Sequence, residues 1–313
     1  MKVSSLNNSP LTSGYGGKTC IVIVGPTAIG KTDLAIELAQ YFFTEIISCD
    51  SRQCFKELNI GVAKPSVQEL NLVSHHFINS HSILDKVNAA TFEKYALEKI
   101  NKIFIKHDTA VMVGGTGLYV KAFCDGMDEV PEINTSVRKT IITNYNNGGI
   151  EWLQEEIQKN DRQYFIQGEI RNPQRMMRAL EVKLSTGKSI LDFQTKKKKS
   201  RNFNIIKIGL EIPRGSLIER INKRVDMMME EGLLDEVKLL LPHQHLNALQ
   251  TVGYKELFSH LEGELTLPQA IEAIKINTRQ YAKRQMTWFK KDETVKWCGV
   301  DFEAVMEKIK REF

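Results

Sequence analysis

From Lys18 onward the chain alternates short apolar runs with longer amphipathic stretches. The runs TCIVIVG at 19–25, TEIISC at 44–49 and TAVMVGG at 109–115 predict buried strands, because they are short and rich in β-branched residues. The stretches DLAIELAQYF and NAATFEKYALEKINKIF repeat their apolar positions with a helical period. This alternation predicts an α/β fold whose parallel sheet is covered by helices and binds ligands at the carboxyl ends of its strands.

The pattern changes after Phe123 to helical segments that continue to about residue 200 and include a predicted loop, NYNNGG, at 144–149. The run NIIKIGLEI at 204–212 then predicts a strand that returns to the sheet, and helices are expected to fill the rest of the chain. The predicted organisation is a disordered leader at 1–17, an α/β core at 18–125 and 201–313, and a helical insertion domain at 126–200.

Composition excludes several classes of protein. Hydrophobic residues make up 42% of the chain and charged residues 26%, and no apolar run approaches the roughly 20 residues that a membrane span needs. The leader is rich in Ser, Asn and Gly and lacks the apolar centre of a secretory signal, which predicts a cytoplasmic protein. Five scattered cysteines form no C-x-x-C pair, so buried thiols are expected instead of disulfides or a zinc ribbon.

Positive charge is placed unevenly along the chain. The net charge is only +5, yet residues 171–207 hold eleven Lys or Arg against two Asp or Glu, including the lysine run at 196–199. A solvated face explains most charge runs, and a surface for nucleic acid is the alternative.

The segment GPTAIGKT lies between the first predicted strand and the first predicted helix. Its G-x-x-x-x-G-K-T spacing is typical of a phosphate loop, in which backbone N–H groups and a lysine hold phosphate and the threonine is a ligand of Mg²⁺. This context predicts a P-loop NTPase-like sheet. The residues of the loop are Gly25, Pro26, Thr27, Ala28, Ile29, Gly30, Lys31 and Thr32.

Polar residues follow the next two predicted strands at the same edge of the sheet. Asp50 begins the segment DSRQ, and two interpretations stay open for it: a cap or Mg²⁺ second shell, or a general base that faces a substrate. The segment GGTGLY places Thr116 among three glycines, which permit a close backbone approach but also suit a tight turn.

Two pairs of arginines have helical spacing. Arg175 and Arg178, after the segment NPQ, are three residues apart and suit either RNA contacts or a solvated face. Arg220 and Arg224 are four residues apart, so both can reach one anion. The methionines at 227–229 are expected to fill the core.

The segment TRQYAKRQMTWFKK at 278–291 has no acidic residue. On a helix, Lys275, Arg279 and Lys283 form one row, and Tyr281, Arg284 and Trp288 form another. Basic residues interleaved with aromatic residues suit an RNA backbone with exposed bases, so these basic stretches together predict an RNA surface.

In this order, GPTAIGKT, DSRQ, IGVAKP at 60–65, GGTGLY, NPQR, VGYKE at 252–256 and TRQYAKRQMTWF resemble the motifs of the tRNA dimethylallyltransferase family. The resemblance runs from about Lys18 to Trp297. It implies that the phosphate loop holds the diphosphate of dimethylallyl diphosphate with Mg²⁺, and that the protein transfers the dimethylallyl group to N6 of the adenine just 3′ of the anticodon.

The same resemblance implies roles for individual residues. Asp50 would take the proton from N6 with Thr116 beside it, while Lys31, Arg220 and Arg224 would neutralise the leaving diphosphate and Thr32 would bind the metal. The anticodon stem-loop would be contacted by Asp50, Ser51, Arg52, Gln53, Thr116, Arg138, Asn172, Pro173, Gln174 and Arg175. Along the last basic helix the contacts would be Arg279, Lys283, Arg284 and Trp288.

The chain departs from the family pattern at Asn59 and Val62, where the family usually has Asp and Thr, and at Cys54. The eukaryotic forms carry a C-terminal zinc finger, and the absence of Cys/His pairs here points to the compact bacterial type, with a monomer as the default expectation. A small-molecule or nucleotide kinase and a non-catalytic RNA-binding protein are the alternatives from other functional classes.

Overall fold

The computed structural model describes residues 17–131, 133–195 and 197–312. The leader predicted at 1–17 therefore lies outside the described residues apart from Gly17. The chain divides into two compact units. We call the part up to Asp125 and from Ser200 onward the core unit, and the part Gly126–Lys199 the insertion unit.

The core unit contains a six-stranded parallel sheet with the order β3-β2-β4-β1-β5-β6. Its strands are β1 Thr19–Val24, β2 Ile46–Ser48, β3 His75–His76, β4 Thr109–Gly114, β5 Asn204–Leu210 and β6 Val295–Cys298. The predicted α/β class and the returning strand are confirmed. The expectation that only helices follow β5 is wrong, because β6 pairs with β5 as an edge strand; its four residues carry no strong apolar run.

Helices cover the sheet of the core unit. They are α1 Lys31–Tyr41, α2 Val67–Leu72, α3 Ala89–Lys106, α4 Gly117–Asp125, α8 Arg214–Glu230, α9 Leu233–Leu240, α10 Tyr254–Leu261, α11 Leu267–Phe289 and α12 Phe302–Lys310. Within the described ranges, no helix combines the length and the apolar character that a bilayer crossing requires.

The central strand β1 explains where the phosphate loop lies. Every residue of β1 is buried, and its neighbours β4 and β5 pair with it along its whole length. Such a strand is fixed on both sides, so the loop that follows it begins from a rigid position at the carboxyl edge. The prediction of buried thiols is confirmed for Cys20, Cys49, Cys54 and Cys124, whereas Cys298 is half-buried.

The insertion unit is helical, with α5 Thr135–Asn160, α6 Arg162–Gln167 and α7 Pro173–Thr186 around a small apolar cluster. The loop predicted at 144–149 is wrong for residues 144–148, which are helical, but a break does occur at its last residue, because α5 consists of two helical segments that meet at a kink at Gly149, with φ 66° and ψ −156°. Tyr145, Ile150 and Trp152 pack against the apolar cluster. Burial of these side chains outweighs the weak helix propensity of the Asn and Gly residues between them.

Candidate active site

A cleft of about 1130 Å³ opens in the core unit where the phosphate loop meets the end of β2. Its lining includes Lys31 and Asp50 from the first part of the chain and Arg220 and Arg224 from α8. The carboxyl ends of parallel strands meet at one edge of a sheet, which is why Lys31 and Asp50 converge, and Arg220 and Arg224 reach the same edge from α8. The cleft therefore combines cations, a carboxylate and a phosphate loop in one space.

The phosphate loop turns sharply before α1 begins at Lys31. Gly30 has φ 100°, and Ala28 has φ 64°, which is unusual for a residue with a side chain. Gly25 leaves little room, since a Cβ built there would lie 3.0 Å from the carbonyl oxygen of Leu210. The first N–H groups of α1 lack helical partners and the helix dipole is positive at this end, so the loop suits an anion.

Three cations are fixed against this loop. Lys31 Nζ donates to the carbonyl oxygen of Pro26 at 2.7 Å, and Arg220 Nη1 donates to that of Ile29 at 3.0 Å. Arg224 Nη1 donates to Thr27 Oγ1 at 3.4 Å. Burial and then the neighbouring Arg224 lower the pKa of Lys31 to about 8, although Asp50 opposes that shift. The positive charge is therefore crowded, as expected where an anionic ligand is to be bound.

Asp50 follows β2 and lines the cleft half-buried. Its Oδ1 accepts the backbone N–H groups of Arg52 at 2.8 Å and Gln53 at 3.3 Å. Residues 51–54 form a turn and not a helix, so Asp50 stabilises a turn instead of capping a helix, and the same residue lines the cleft. A carboxylate whose position is fixed by its own turn is preorganised for proton transfer.

Thr116 ties the turn after β4 to the segment DSRQ. Its Oγ1 accepts the backbone N–H of Ser51 at 3.1 Å and donates to Ser51 Oγ at 3.3 Å. The Tyr281 hydroxyl is also hydrogen-bonded to Thr116, and burial raises the pKa of Tyr281 to about 12. Ser51 and Tyr281 line the cleft, whereas Thr116 does not.

The residue that the sequence interpretation missed is Gln285 on α11. Its Oε1 accepts the backbone N–H of Thr27 at 2.8 Å, and its Nε2 donates to the carbonyl oxygen of Gly115 at 2.9 Å. A Cβ at Gly115 would come within 2.1 Å of that amide nitrogen, so the glycine leaves room for the Gln285 amide in its observed position. Gln285 is buried and braces the phosphate loop against the turn after β4. No local sequence pattern singles out Gln285, because its partners Thr27 and Gly115 are distant in the chain.

The two predicted rows on α11 differ in the structure. Lys275 pairs with Asp226 at 2.6 Å, and Arg279 pairs with Glu272 at 3.0 Å and bonds to Asn222 at 3.1 Å, so both are held within the core unit. Lys283 is exposed.

In the second row, Arg284 lies 5.9 Å from the centre of the Tyr281 ring. Trp288 packs on Gly117, where a Cβ would lie 2.2 Å from the indole, and it stays 40% exposed. The row with Arg284 and Trp288 therefore offers an open aromatic and basic surface.

The methionines at 227–229 do not fill the core as expected. None of the three is buried, Met227 is 47% exposed, and Met227 and Met228 line the cleft. The buried residues of α8 are Ile221 and Val225 instead.

The predicted RNA contacts of the insertion unit lie at the start of α7 and on α5. Asn172 accepts the backbone N–H of Arg175 at 3.2 Å and Pro173 occupies the first turn, so both stabilise the start of the helix. Gln174 and Arg175 are exposed. Arg138 lies 3.7 Å from the buried Glu181, which Arg178 also approaches at 3.5 Å.

A divalent cation fits the start of α1. The Thr32 side chain lines the cleft next to Asp33, although the described residues contain no cluster of three His, Cys, Asp or Glu that could hold a metal alone. Mg²⁺ commonly takes one or two protein oxygens and completes its shell with phosphate oxygens and water. Thr32 fits that arrangement when a diphosphate is present.

Comparison with known proteins identifies the family. The family model described as IPP transferase matches residues 53–292, which is more than half of the chain. A tRNA dimethylallyltransferase from Flavobacterium johnsoniae is 52% identical over 286 residues, covering 90% of this chain and 93% of the relative. The chain belongs to the IPP transferase family.

Other members of the IPP transferase family agree in sequence and in structure. A tRNA dimethylallyltransferase from Christiangramia forsetii is 49% identical over 90% of this chain and 93% of its own length. The crystal structure of the tRNA isopentenylpyrophosphate transferase from Bacillus halodurans has a TM-score of 0.68 at 34% identity and covers 94% of this chain and 95% of that one.

A eukaryotic dimethylallyltransferase, seen in crystallographic snapshots acting on tRNA, has a TM-score of 0.77 at 26% identity. It covers 94% of this chain and 77% of that one. These neighbours confirm the predicted fold class for this IPP transferase family member.

Proposed function

We propose that this protein transfers the dimethylallyl group from dimethylallyl diphosphate to N6 of the adenine just 3′ of the anticodon of tRNA. The observation that carries the proposal is that the Asp50 carboxylate and the three loop cations Lys31, Arg220 and Arg224 line the same cleft. A base and a diphosphate site in one space are what this transfer requires. Membership of the IPP transferase family supports the choice of substrates.

The diphosphate binds on the phosphate loop in this proposal. The N–H groups at the start of α1 face its oxygens, Lys31 adds a charge, and Arg220 and Arg224 approach from α8. Thr32, together with the phosphate oxygens, would hold Mg²⁺, which when bound supplies further neutralisation of the leaving diphosphate. The loop would bind a diphosphate better than a monophosphate, since three cations surround it.

The transfer forms one bond and breaks one. The adenine N6 attacks the first carbon of the dimethylallyl group, the bond from that carbon to the diphosphate oxygen breaks, and its electron pair stays on the diphosphate. Asp50 accepts the proton that N6 loses. Arg220, Arg224 and Lys31 stabilise the charge that develops on the leaving group.

The RNA would be held by groups in both units. An adenine has to leave its stack to reach the cleft, at a cost of about a few kcal/mol. Ser51, Arg52 and Arg284 lie at the cleft for base and phosphate contacts, and Lys283 and Trp288 are exposed beside them on α11. Arg138, Gln174 and Arg175 are exposed in the insertion unit, where phosphates would be bound.

Two of the predicted RNA contacts receive different roles in the proposal. The Arg279 guanidinium donates to Asn222 on α8 and pairs with Glu272 on its own helix, so we assign it to the packing of α11 against α8. The side-chain amide of Gln53 accepts a hydrogen bond from Ser48 and donates to two carbonyl oxygens of the segment 59–65. We therefore propose that Gln53 holds the cleft wall in shape instead of binding RNA.

Mass spectrometry of RNA tests the proposal directly. Purified protein is incubated with an unmodified anticodon stem-loop, Mg²⁺ and either dimethylallyl diphosphate or ATP. We expect one five-carbon unit on adenine with dimethylallyl diphosphate and no change with ATP. Phosphoryl transfer from ATP would support a kinase instead, and RNA binding with no product from either donor would support a non-catalytic RNA-binding protein.

A monomer in the cytoplasm remains the prediction from the sequence. Sedimentation of the purified protein with and without the stem-loop measures its mass in both states, and cell fractionation measures its location. A dimer that persists without RNA would overturn the first expectation.

A further inference from the structure

One carboxylate outside the cleft holds a segment of the cleft wall. Glu236 on α9 accepts three backbone N–H groups, that of Ile60 on Oε2 at 2.7 Å and those of Gly61 and Asn59 on Oε1 at 3.2 and 3.3 Å. The Tyr254 hydroxyl donates to the same Oε1 at 2.5 Å. Four donors converge on a side chain that does not itself line the cleft.

Tyr254 fixes the same segment by packing. Its side chain is fully buried, and a Cβ built at Gly61 would lie 2.6 Å from the ring, so position 61 requires glycine. Burial first, and then the Glu236 charge, raise the pKa of Tyr254, so its hydroxyl stays a proton donor to the carboxylate. Glu236 and Tyr254 therefore hold the near end of the segment as one unit.

Gln53 holds the far end of the segment. Its Nε2 donates to the carbonyl oxygens of Ala63 at 2.9 Å and Val62 at 3.3 Å, and its Oε1 accepts from Ser48 Oγ at 3.1 Å. Ala63 has φ 47°, a left-handed conformation that is costly for a residue with a side chain. Contacts from both ends hold the backbone in this strained turn.

The same Gln53 reaches the proposed base. Its backbone N–H donates to Asp50 Oδ1 at 3.3 Å, and its side chain grips the segment 62–63. Hydrogen bonds therefore connect Glu236 to Asp50 through the backbone of 59–63 and through Gln53. These contacts to the segment use backbone groups, so they do not depend on the side chains of Asn59 and Val62, where the chain departs from the family pattern.

We propose that Glu236 is a positioning residue for Asp50, acting through the segment 59–63 and Gln53. The inference rests on the proposed function for its catalytic consequence, because Asp50 is the base only if the transfer occurs. Small displacements of a catalytic group have large effects, about a hundredfold for 1 Å, so a clamp that is remote from the substrate can still control the rate.

Glu236→Gln is the variant that tests the clamp. The amide keeps the size of the side chain but replaces one acceptor oxygen with a donor, which must then face an N–H group. We expect the single-turnover rate of transfer to fall about tenfold to a hundredfold, with KM for dimethylallyl diphosphate changed by no more than about twofold. Asp235→Asn is the matched control, since Asp235 precedes Glu236 on α9, is 79% exposed and pairs only with Lys238 among the described residues.

A double-mutant cycle separates positioning from a general loss of stability. Gln53→Leu removes the grip on the segment 62–63 while leaving the backbone N–H bond to Asp50. If Glu236 acts through Gln53, the second substitution adds little to the rate loss caused by the first. If the rate loss of the double variant equals the product of the two single losses, the proposed route from Glu236 through Gln53 to Asp50 is wrong.

Hydrogen–deuterium exchange decides the structural part without any activity measurement. We expect Glu236→Gln to speed exchange in peptides that cover 59–63 and also in those that cover 50–54, with neither change in Asp235→Asn. Faster exchange at 59–63 alone would show a local anchor that does not position Asp50 and would overturn the proposal. A wild-type protein that fails to modify RNA would refute the proposed function, whereas the exchange result would still decide the clamp.

Discussion

Positive charge is organised differently in the cleft and in the insertion unit. In the cleft, Lys31, Arg220 and Arg224 are each bonded to an oxygen of the phosphate loop at 2.7 to 3.4 Å. In the insertion unit, Arg138 and Arg178 are 58% and 41% exposed and lie at the longer distances of 3.7 and 3.5 Å from Glu181. The first group suits one compact anion in a fixed position, and the second suits phosphates along a flexible polymer.

Substitution of Asp50, the proposed base that lies among the cleft cations, should cause the largest loss of activity. Asp50→Asn keeps an oxygen that can accept the N–H groups of Arg52 and Gln53, but it removes the proton acceptor. We expect the single-turnover rate to fall by about 10²–10⁴, the usual contribution of a general base, while tRNA binding stays within a few-fold. Retention of more than a tenth of the rate, with the melting temperature unchanged, would remove Asp50 from its proposed role.

Substitution of a cation that is bonded to the phosphate loop should cause the second-largest loss of activity. Arg220→Ala is expected to lower kcat/KM for dimethylallyl diphosphate by about 10²–10³, because a charge beside the leaving group is lost. Affinity for the stem-loop should not change. Arg214→Ala is the control, since Arg214 is exposed at the start of the same helix. If RNA affinity alone falls, the cleft cations serve the polymer and the contrast fails.

The brace behind the phosphate loop should have a smaller effect. Gln285→Met leaves the half-buried N–H of Thr27 and the buried carbonyl oxygen of Gly115 without their partner, and the buried oxygen alone costs about 1–3 kcal/mol. We expect a lower melting temperature and about tenfold weaker binding of pyrophosphate by calorimetry. An unchanged affinity would mean that the loop keeps its shape without α11.

The pH dependence tests how crowded the cleft cations are. Since the pKa of Lys31 in the ligand-free protein is about 8, its ammonium is present below pH 8 and is lost as the pH rises above it. A bound diphosphate favours the charged form, so binding should take up a proton above pH 8. Affinity should therefore be level below pH 8 and fall by up to about tenfold per unit above it. Lys31→Met should lose this dependence, and a wild-type profile in that variant would assign the titration to another group.

The exposed arginines should give the smallest change. Arg138→Gln and Arg175→Gln are each expected to weaken stem-loop binding a few-fold, about equally for different RNA sequences, and to reduce the slope of log affinity against log salt by about 1. Turnover at saturating RNA should stay normal. A loss that is specific to one RNA sequence would indicate base recognition and not phosphate contacts.

Site residues that belong to a local motif could be predicted from the sequence. Lys31, Thr32 and Asp50 follow predicted strands, and the parallel topology alone brings strand ends to one edge, so their convergence was predictable. Gln285 was not, because its partner Thr27 lies 258 residues away and no spacing rule connects them. Helical spacing predicts Arg279 in a row of RNA contacts, but spacing on one helix cannot reveal a partner on another helix such as Asn222, to which Arg279 is bonded.

The contact between Thr27 and Gln285 also sets an order of events during protein synthesis. The phosphate loop is synthesised before its brace, because Gln285 follows Thr27 by 258 residues. Because synthesis adds about 5–20 residues per second, Gln285 is added on the order of ten to fifty seconds after the phosphate loop. Pairing of the central strand β1 is delayed as well, because its partner β5 begins at Asn204. The complete cleft therefore forms only after Gln285 has been synthesised, so a nascent chain that ends before α11 lacks one wall of the cleft and the brace of its phosphate loop.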